Sequence, residues 1–108
     1  MSLTAKSCVP CRGGVPALTT DQAKDYLPEA DGWTLNDSAD RITRRFGFGD
    51  FAQSLAFVNQ VGALAEAEGH HPDISFGWGY CDIVLFTHKI KGLHENDFIM
   101  AAKINQLG

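Results

Sequence analysis

Three of the four histidines in the chain lie in one short stretch, EGHHPDISFGWGYCDIVLFTH, which runs from Glu68 to His88. His70 and His71 are adjacent and precede Pro72, and His88 ends the stretch. Imidazole ordinarily titrates near neutral pH, so two histidines around one cleft can present one protonated and one neutral ring. Such a pair can give a proton to a leaving group and take a proton from a neighbouring atom.

Three interpretations of these histidines are open from the pattern alone. The histidines carry protons in catalysis, or they hold a zinc ion, or they only cap a helix and fill a turn. Adjacent histidines chelate poorly and the HExxH spacing of helical zinc sites does not occur, so we expect no metal. Glu66, four residues before His70, suits a role in orienting a ring. Pattern alone favours the structural role over catalysis.

The elements that must position the histidines follow from the spacing of apolar residues. Alternating apolar residues predict two β-hairpins, and recurrence every three or four residues predicts helices. The predicted order is helix-β-β-helix-β-β-helix, an α+β fold in which a four-stranded antiparallel sheet and helices packed on one of its faces form two layers. In chain order, the elements are a short helix capped by Thr19 and Gln22, strands at Trp33–Asn36 and Arg41–Phe48, a helix of about 18 residues between Asp50 and Gly69, strands at Ile74–Trp78 and Cys81–His88, and a helix from about Glu95.

Two finer expectations concern which side chains face the core. On the long helix, the apolar stripe that we expect to pack inward consists of Phe51, Leu55, Val58, Val61 and Ala65, widened by Phe57 and Leu64. The arginines of the RITRR segment, Arg41–Arg45, are expected on the solvated face of their strand.

Residues 1–17 are predicted to form an extended leader, because prolines and glycines interrupt any regular period. Residues 18–108 are predicted to form a single domain. Cys8 and Cys11 form a lone C-x-x-C in the leader, and one such pair specifies neither a zinc site nor thioredoxin-like chemistry. We therefore interpret them as free thiols on a flexible arm. Cys81 is interpreted as a small core residue.

Charge and composition exclude two kinds of partner. The net charge of −4 and the pI of about 5.4 leave no basic face for phosphates, so direct binding to nucleic acid is not expected. No apolar run is long enough to cross a bilayer, so no membrane association is expected either. The first residues lack the apolar core of a secretory signal, and we expect a cytoplasmic location.

The second predicted hairpin determines where the histidines meet. In a hairpin, the beginning of the first strand lies beside the end of the second strand. His70 or His71 should therefore lie close to His88 at one edge of the sheet.

A larger set of residues joins the three histidines in one pattern. It comprises Glu66, His70-His71-Pro72, an aromatic residue at Trp78, Thr87-His88, Gly92-Leu93 and Asp97, together with Asp31–Trp33, Phe46–Phe51 and the C-x-x-C leader. The interval from His71 to His88 is 88 − 71 = 17 residues, and that from His88 to Asp97 is 97 − 88 = 9 residues. In these residues and intervals the chain resembles the pterin-4a-carbinolamine dehydratases, and the resemblance extends over most of its length. The chain departs from the family at Ala67, where lysine is common, and at His94, where serine or threonine would cap the last helix better.

The resemblance implies an enzyme, a hydro-lyase. Members of the family eliminate water from 4a-hydroxytetrahydrobiopterin, which aromatic amino acid hydroxylases produce, and release quinonoid dihydropterin in tetrahydrobiopterin recycling and biosynthesis. The pterin is the substrate, so no separate cofactor is implied.

The resemblance also implies which residues form the site. His70, His71 and His88 are implied to be catalytic, with His70 and His88 as acid and base and His71 mainly holding the pterin. Asp97 is expected to orient His88 or to cap the last helix, and Trp33 to wall the pocket or to fill the core. The residues implied to bind substrate are His70, His71, Pro72, Thr87, His88, Lys89 and Ile90, and the supporting residues are Glu66, Asp97, Trp33 and Trp78.

Partners follow from the same resemblance. The family forms homodimers and homotetramers, and an aromatic amino acid hydroxylase or a transcription factor is a further implied partner. The alternative to an enzyme is a binding module without catalysis, which acts as an assembly factor or as a dimerisation partner in transcription. The complete set of three histidines favours the dehydratase.

Overall fold

The computed structural model of the protein, which describes residues 3–9 and 16–107, has one four-stranded antiparallel sheet in the order β1-β2-β4-β3. This confirms the α+β fold and both predicted hairpins. Outside its helices and strands, the described chain has three short 3₁₀ turns, at Leu3–Ala5, Leu27–Glu29 and His88–Ile90. The strands are β1 (Thr34–Leu35), β2 (Ile42–Gly47), β3 (Asp73–Gly77) and β4 (Tyr80–Leu85), and the helices are α1 (Thr20–Tyr26), α2 (Phe51–Glu68) and α3 (Glu95–Leu107).

The core lies between one face of the sheet and the helices. Along β4, Cys81, Ile83 and Leu85 are fully buried, whereas the residues between them are only partly buried. The strand therefore turns every second side chain toward the helices. Arg44 lies opposite Ile83 and so shares the covered face, where its guanidinium donates to Asn105 of α3 at 2.6 Å. The expectation that all the arginines lie on the solvated face was wrong for Arg44.

Helix α2 begins and ends where the sequence predicts. The Asp50 carboxylate accepts a hydrogen bond from the Gln53 N–H at 2.8 Å, and Gly69 ends the helix in the left-handed region with φ of 67°. The expected stripe is confirmed at Phe57, Val61 and Ala65 but was wrong at its beginning, because Phe51 and Leu55 are 46% and 39% exposed. The side chains of α2 that are buried are Ser54, Phe57, Val61 and Ala65.

Helix α3 is capped by a histidine. The Nδ1 atom of His94 accepts a hydrogen bond from the Asn96 N–H at 3.0 Å, and the Asp97 carboxylate accepts one from the His94 N–H at 3.0 Å. The bond to Asp97 is that of a capping box, while the imidazole accepts from the second helical residue where a capping-box hydroxyl accepts from the third. The departure from serine or threonine at this position therefore leaves the helix capped.

The described part of the leader, residues 3–9, packs against α3 and the end of α2. Leu3 is buried in the core, and the Lys6 ammonium donates to the Glu95 carboxylate at 2.8 Å. The Cys8 N–H donates to Glu68 at 2.8 Å. Residues 3–9 are therefore docked on the domain and are not the flexible arm that the sequence predicts. Cys11 lies outside the described residues.

Two carboxyl groups that hold this segment have lowered pKa values. The pKa of Glu68 is lowered mainly by the hydrogen bond from the Cys8 N–H, and that of Glu95 mainly by the bond from Lys6. A carboxyl group with a lowered pKa stabilises the folded state above its unfolded pKa of about 4.3. That contribution is lost as the pH falls through the lower pKa of the folded state.

We expect acidification to loosen residues 3–9 selectively. Between pH 6 and pH 3, the protection of the Cys8 amide against hydrogen exchange should fall more than that of Ile83 in β4, after correction for the intrinsic exchange rate. NMR detection of both amides measures this. In Glu68→Gln, which cannot ionise, the loss at Cys8 should be smaller. Equal pH dependence in the variant and the wild type would contradict the assignment to Glu68.

Candidate functional site

Two chain segments bring the three predicted histidines to one cavity. Asp73 of β3 pairs with Val84 of β4, and the same register continued outward places position 71 opposite position 86. His70 and His71 leave the end of α2 on one side, and His88 follows β4 on the other. All three line a cavity of about 400 Å³, together with Gly69, Phe86, Thr87 and Lys89. The histidines therefore meet as the hairpin topology predicts.

A buried carboxylate holds His70. The Nε2 atom of His70 lies 2.6 Å from Oδ1 of Asp97, whose side chain is fully buried. A carboxylate can only accept, so Nε2 carries the hydrogen and Nδ1 is left for a molecule in the cavity. The second oxygen of Asp97 accepts from the Thr87 hydroxyl at 2.9 Å and from the His94 N–H at 3.0 Å. The expectation that Asp97 orients His88 was wrong, and its expected role as a helix cap is observed.

His71 is held in a different way. Its Nε2 atom forms a hydrogen bond with the Glu66 carboxylate of the last turn of α2, and both side chains are largely exposed, at 60% and 79%. Solvent screens such a pair, so it can orient the ring at the rim of the cavity but does little to fix the fold.

His88 rests on an aromatic ring. Its centroid is 4.1 Å from that of Phe86, and neither nitrogen of His88 hydrogen-bonds to a residue in the described ranges. The Arg41 guanidinium lies 4.8 Å from the centroid of the same Phe86 ring. A smaller hollow of about 290 Å³ adjoins the cavity at Phe86 and His88, and it is also lined by Asp40, Arg41 and Lys91.

The remaining predicted residues divide into those at the cavity and those away from it. Lys89 lines the cavity, whereas Pro72 and Ile90 only adjoin its lining residues along the chain. Trp33 is buried in the core, where its Nε1–H donates to Asn105 at 2.8 Å. Trp78 is 72% exposed at the turn between β3 and β4. Neither tryptophan lines the cavity.

Gly69 and Phe86 are the cavity residues that the predicted site did not include. Phe86 lies two residues before His88, a spacing that puts both side chains on one side of an extended segment. That spacing was the available signal. Within residues 3–9 and 16–107, no group of three or more His, Cys, Asp or Glu side chains is arranged to hold a metal ion. In the same ranges, no helix has the length and apolar character needed to cross a membrane.

We expect the two carboxylates that touch histidines to differ in their effect on stability. Asp97→Ala leaves the Thr87 hydroxyl, the His94 N–H and the His70 N–H without their acceptor, and should lower the free energy of unfolding by about 2–4 kcal/mol. Glu66→Ala removes an exposed acceptor and should leave stability unchanged within error. Urea unfolding followed by tryptophan fluorescence measures both. A small loss in both variants would contradict the buried arrangement around Asp97.

One family model and the similar sequences of two other proteins bear the same family name. Residues 16–107 match the family model of pterin 4 alpha carbinolamine dehydratase. A protein of Methylococcus capsulatus, provisionally named pterin-4-alpha-carbinolamine dehydratase, is 56% identical over 98% of this chain and 93% of its own length. A protein of Halorhodospira halophila with the same provisional name is 54% identical over 100% of this chain and 99% of its own.

Two solved structures share the fold. The crystal structure of a transcriptional coactivator/pterin dehydratase from Brucella melitensis has a TM-score of 0.78 at 35% identity, over 84% of this chain and 97% of that chain. A pterin dehydratase-like protein described as a RuBisCO assembly factor in the alpha-carboxysome has a TM-score of 0.61 at 32% identity, over 70% of this chain and 88% of that chain. With the family match over most of its length, the chain belongs to the pterin-4-alpha-carbinolamine dehydratase family.

Proposed function

We propose that this protein is a 4a-hydroxytetrahydrobiopterin dehydratase, a hydro-lyase that eliminates water from its pterin substrate by general acid and base catalysis with histidines. The observation that carries the proposal is that two histidines held in different ways, His70 and His88, line the same cavity. Family membership and the names of the relatives supply the substrate class.

The reaction requires only proton transfer and the loss of water. One group gives a proton to the 4a-hydroxyl, and the bond between C4a and that oxygen breaks. The electrons of the N5–H bond form a double bond between N5 and C4a while a second group removes the N5 proton. The products are water and quinonoid dihydropterin, and the two groups return to their starting states by exchange with solvent. Each such group typically contributes about 10²–10⁴-fold.

His70 and His88 suit these two roles because each has a ring nitrogen to offer. The Nε2–H of His70 donates to Asp97 in either state of protonation, so Nδ1 can take or give a proton while the ring keeps its position. His88 keeps its place by contact with Phe86, which leaves its nitrogens for the substrate. His71, oriented by Glu66 at the rim, would mainly hold the pterin.

The cavity also suits a flat heterocycle of this size. Phe86 offers an aromatic surface, and Lys89 adds a cation at the lining. Pro72 and Ile90 would contribute only through the backbone that carries His71 and Lys89. The pterin is the substrate, and the steps above use no separate cofactor. The role of the protein would be tetrahydrobiopterin recycling after aromatic amino acid hydroxylation, in the cytoplasm.

A binding role is the second candidate, and what the two structurally similar proteins are called motivates it. One is called a coactivator/pterin dehydratase and the other a RuBisCO assembly factor. A partner would use surface outside the cavity, such as the exposed side chain of Trp78 at the turn between β3 and β4. This role does not compete with catalysis for the same residues.

We also propose that the protein forms a homodimer or a homotetramer. Strand β3 is an edge of the sheet, and an exposed edge gains from pairing with another chain. Phe51 and Leu55 expose apolar surface on α2 that a second copy would cover.

The site assignment predicts the kinetics of single variants. Dehydration of synthetic 4a-hydroxytetrahydropterin should slow by about 10²–10⁴-fold in His70→Ala and in His88→Ala, because each removes a proton carrier. His71→Ala should raise KM more than it lowers kcat. Gln60→Ala, an exposed change on α2, is the matched control and should leave both constants unchanged. A wild type without activity would refute the dehydratase, and full activity in both His70→Ala and His88→Ala would refute the site.

The oligomer predicts a mass above that of one chain. Sedimentation equilibrium at micromolar concentration should give twice or four times the monomer mass of 11.8 kDa. Leu55→Asp should lower that mass, since it places a charge on the apolar surface of α2. Gln106→Asp, an exposed change at the end of α3, should not lower it. A wild-type monomer at that concentration would contradict the proposal.

A further inference from the structure

Residues 3–9 form a segment, here called the N-terminal strap, that hydrogen-bonds to a residue near His70 and to a residue next to Asp97. One bond goes to Glu68, two residues before His70, and others go to Asn96, the residue before Asp97. The steps proposed above for catalysis use none of these strap contacts. Because these contacts lie beside His70 and Asp97, they bear on how the His70 ring is positioned.

The first attachment joins the strap to the end of α2. The Cys8 N–H donates to one oxygen of Glu68 at 2.8 Å, and the Lys103 ammonium of α3 donates to the other at 2.9 Å. The Glu68 side chain is only 13% exposed, so its charge depends on these two donors. Glu68 therefore links three parts of the chain directly beside His70.

The second attachment joins the strap to the beginning of α3. The side chain of Asn96 is almost fully buried and makes a reciprocal pair with Val9. The Val9 N–H donates to Oδ1 at 3.0 Å, and Nδ2 donates to the Val9 carbonyl at 2.8 Å. The Cys8 thiol donates to the Asn96 carbonyl at 3.7 Å. Loss of the strap would leave the donor and acceptor of this buried amide without partners.

The N-terminal part of the strap, Leu3 to Lys6, is held by packing and by an ion pair. Leu3 is 2% exposed in the core, and Lys6 binds Glu95, which also accepts from the Tyr26 hydroxyl at 3.1 Å. An apolar anchor and a partly exposed ion pair therefore hold the segment independently of its bonds to Glu68 and Asn96. A substitution at Leu3 or Lys6 can release the strap without touching the residues beside the histidine.

We propose that the N-terminal strap is a positioning element for catalysis, because it ties the end of α2 to the beginning of α3 and thereby fixes the His70 ring against Asp97. The proposal rests on the dehydratase function proposed above. When the strap is closed, both residues that flank the pair are held. When it opens, Glu68 and Asn96 must shift to find water, and the 2.6 Å contact between His70 and Asp97 loosens.

Cys8 provides a direct reporter of strap closure. Its thiol is partly buried and bonded to Asn96, and burial raises its pKa to about 12. The reactive species is the thiolate, so alkylation should be slow while the strap is closed and should approach the rate of an ordinary cysteine once it opens. A Cys11→Ser background leaves Cys8 and the fully buried Cys81 as the thiols to follow by mass spectrometry.

The experiment compares three variants in that background: Leu3→Ala and Lys6→Gln in the strap, and Asn96→Ala in its partner on α3. Each should speed the alkylation of Cys8 by iodoacetamide and lower kcat in the same rank order, by up to about 100-fold for the most open variant, with little change in KM. The Nε2–H proton signal of His70, seen by NMR, should broaden in parallel. Arg45→Gln, which breaks a remote ion pair with Asp82, is the control and should change none of these readouts.

The outcomes separate positioning from a merely structural role. Fast alkylation of Cys8 with wild-type kcat and an unchanged His70 signal would overturn the proposal. A fall in kcat without faster alkylation would also overturn it, because the strap would then not be the cause. Lys6→Gln is the mild variant that keeps the test valid if Leu3→Ala fails to fold. If the wild type proves inactive as a dehydratase, that function fails, while the alkylation and NMR readouts still test the link between the strap and His70.

Discussion

One buried carboxylate, that of Asp97, is the constraint on which the site depends. Its charge is fully removed from water at the beginning of α3, where the helix dipole favours an anion. A buried charge is tolerated only when hydrogen bonds compensate for it, and here the donors come from His70, Thr87 and His94. His70 follows α2, Thr87 follows β4, and His94 precedes α3. Satisfying one charge therefore brings three chain segments to the same place and fixes one histidine ring there.

The parts that could be predicted from the sequence are those that local rules determine. The Thr19–Gln22 capping box, the Asp50 cap and Gly69 gave the helix ends, since each depends on bonds within one turn. Alternation along β4 gave the hairpin. The meeting of His88 with His70 then followed from topology alone, because antiparallel pairing leaves no other place for the two segments.

The parts that could not be predicted depend on contacts between distant residues. Nothing in the spacing shows that Asp97 contacts His70, 27 residues away, instead of His88. For Arg44, alternation with the buried Ile42 and Phe46 already indicated the covered face, and only its acceptor Asn105 is remote in sequence. The leader contains few periodic residues, so its docking through Leu3 could not be inferred from sequence pattern. The contacts of Asp97 and those of the strap could not be predicted for the same reason, because the partners of each are remote in sequence.

The central claim is that histidines from two segments act together on one bound pterin. A crystal structure of the protein with a non-reactive reduced pterin tests it most directly. The account predicts that the pterin occupies the cavity between His70 and His88, with Nδ1 of His70 and a ring nitrogen of His88 within hydrogen-bond reach of the atoms around C4a and N5. A pterin bound elsewhere, or one that contacts neither ring, would contradict the account.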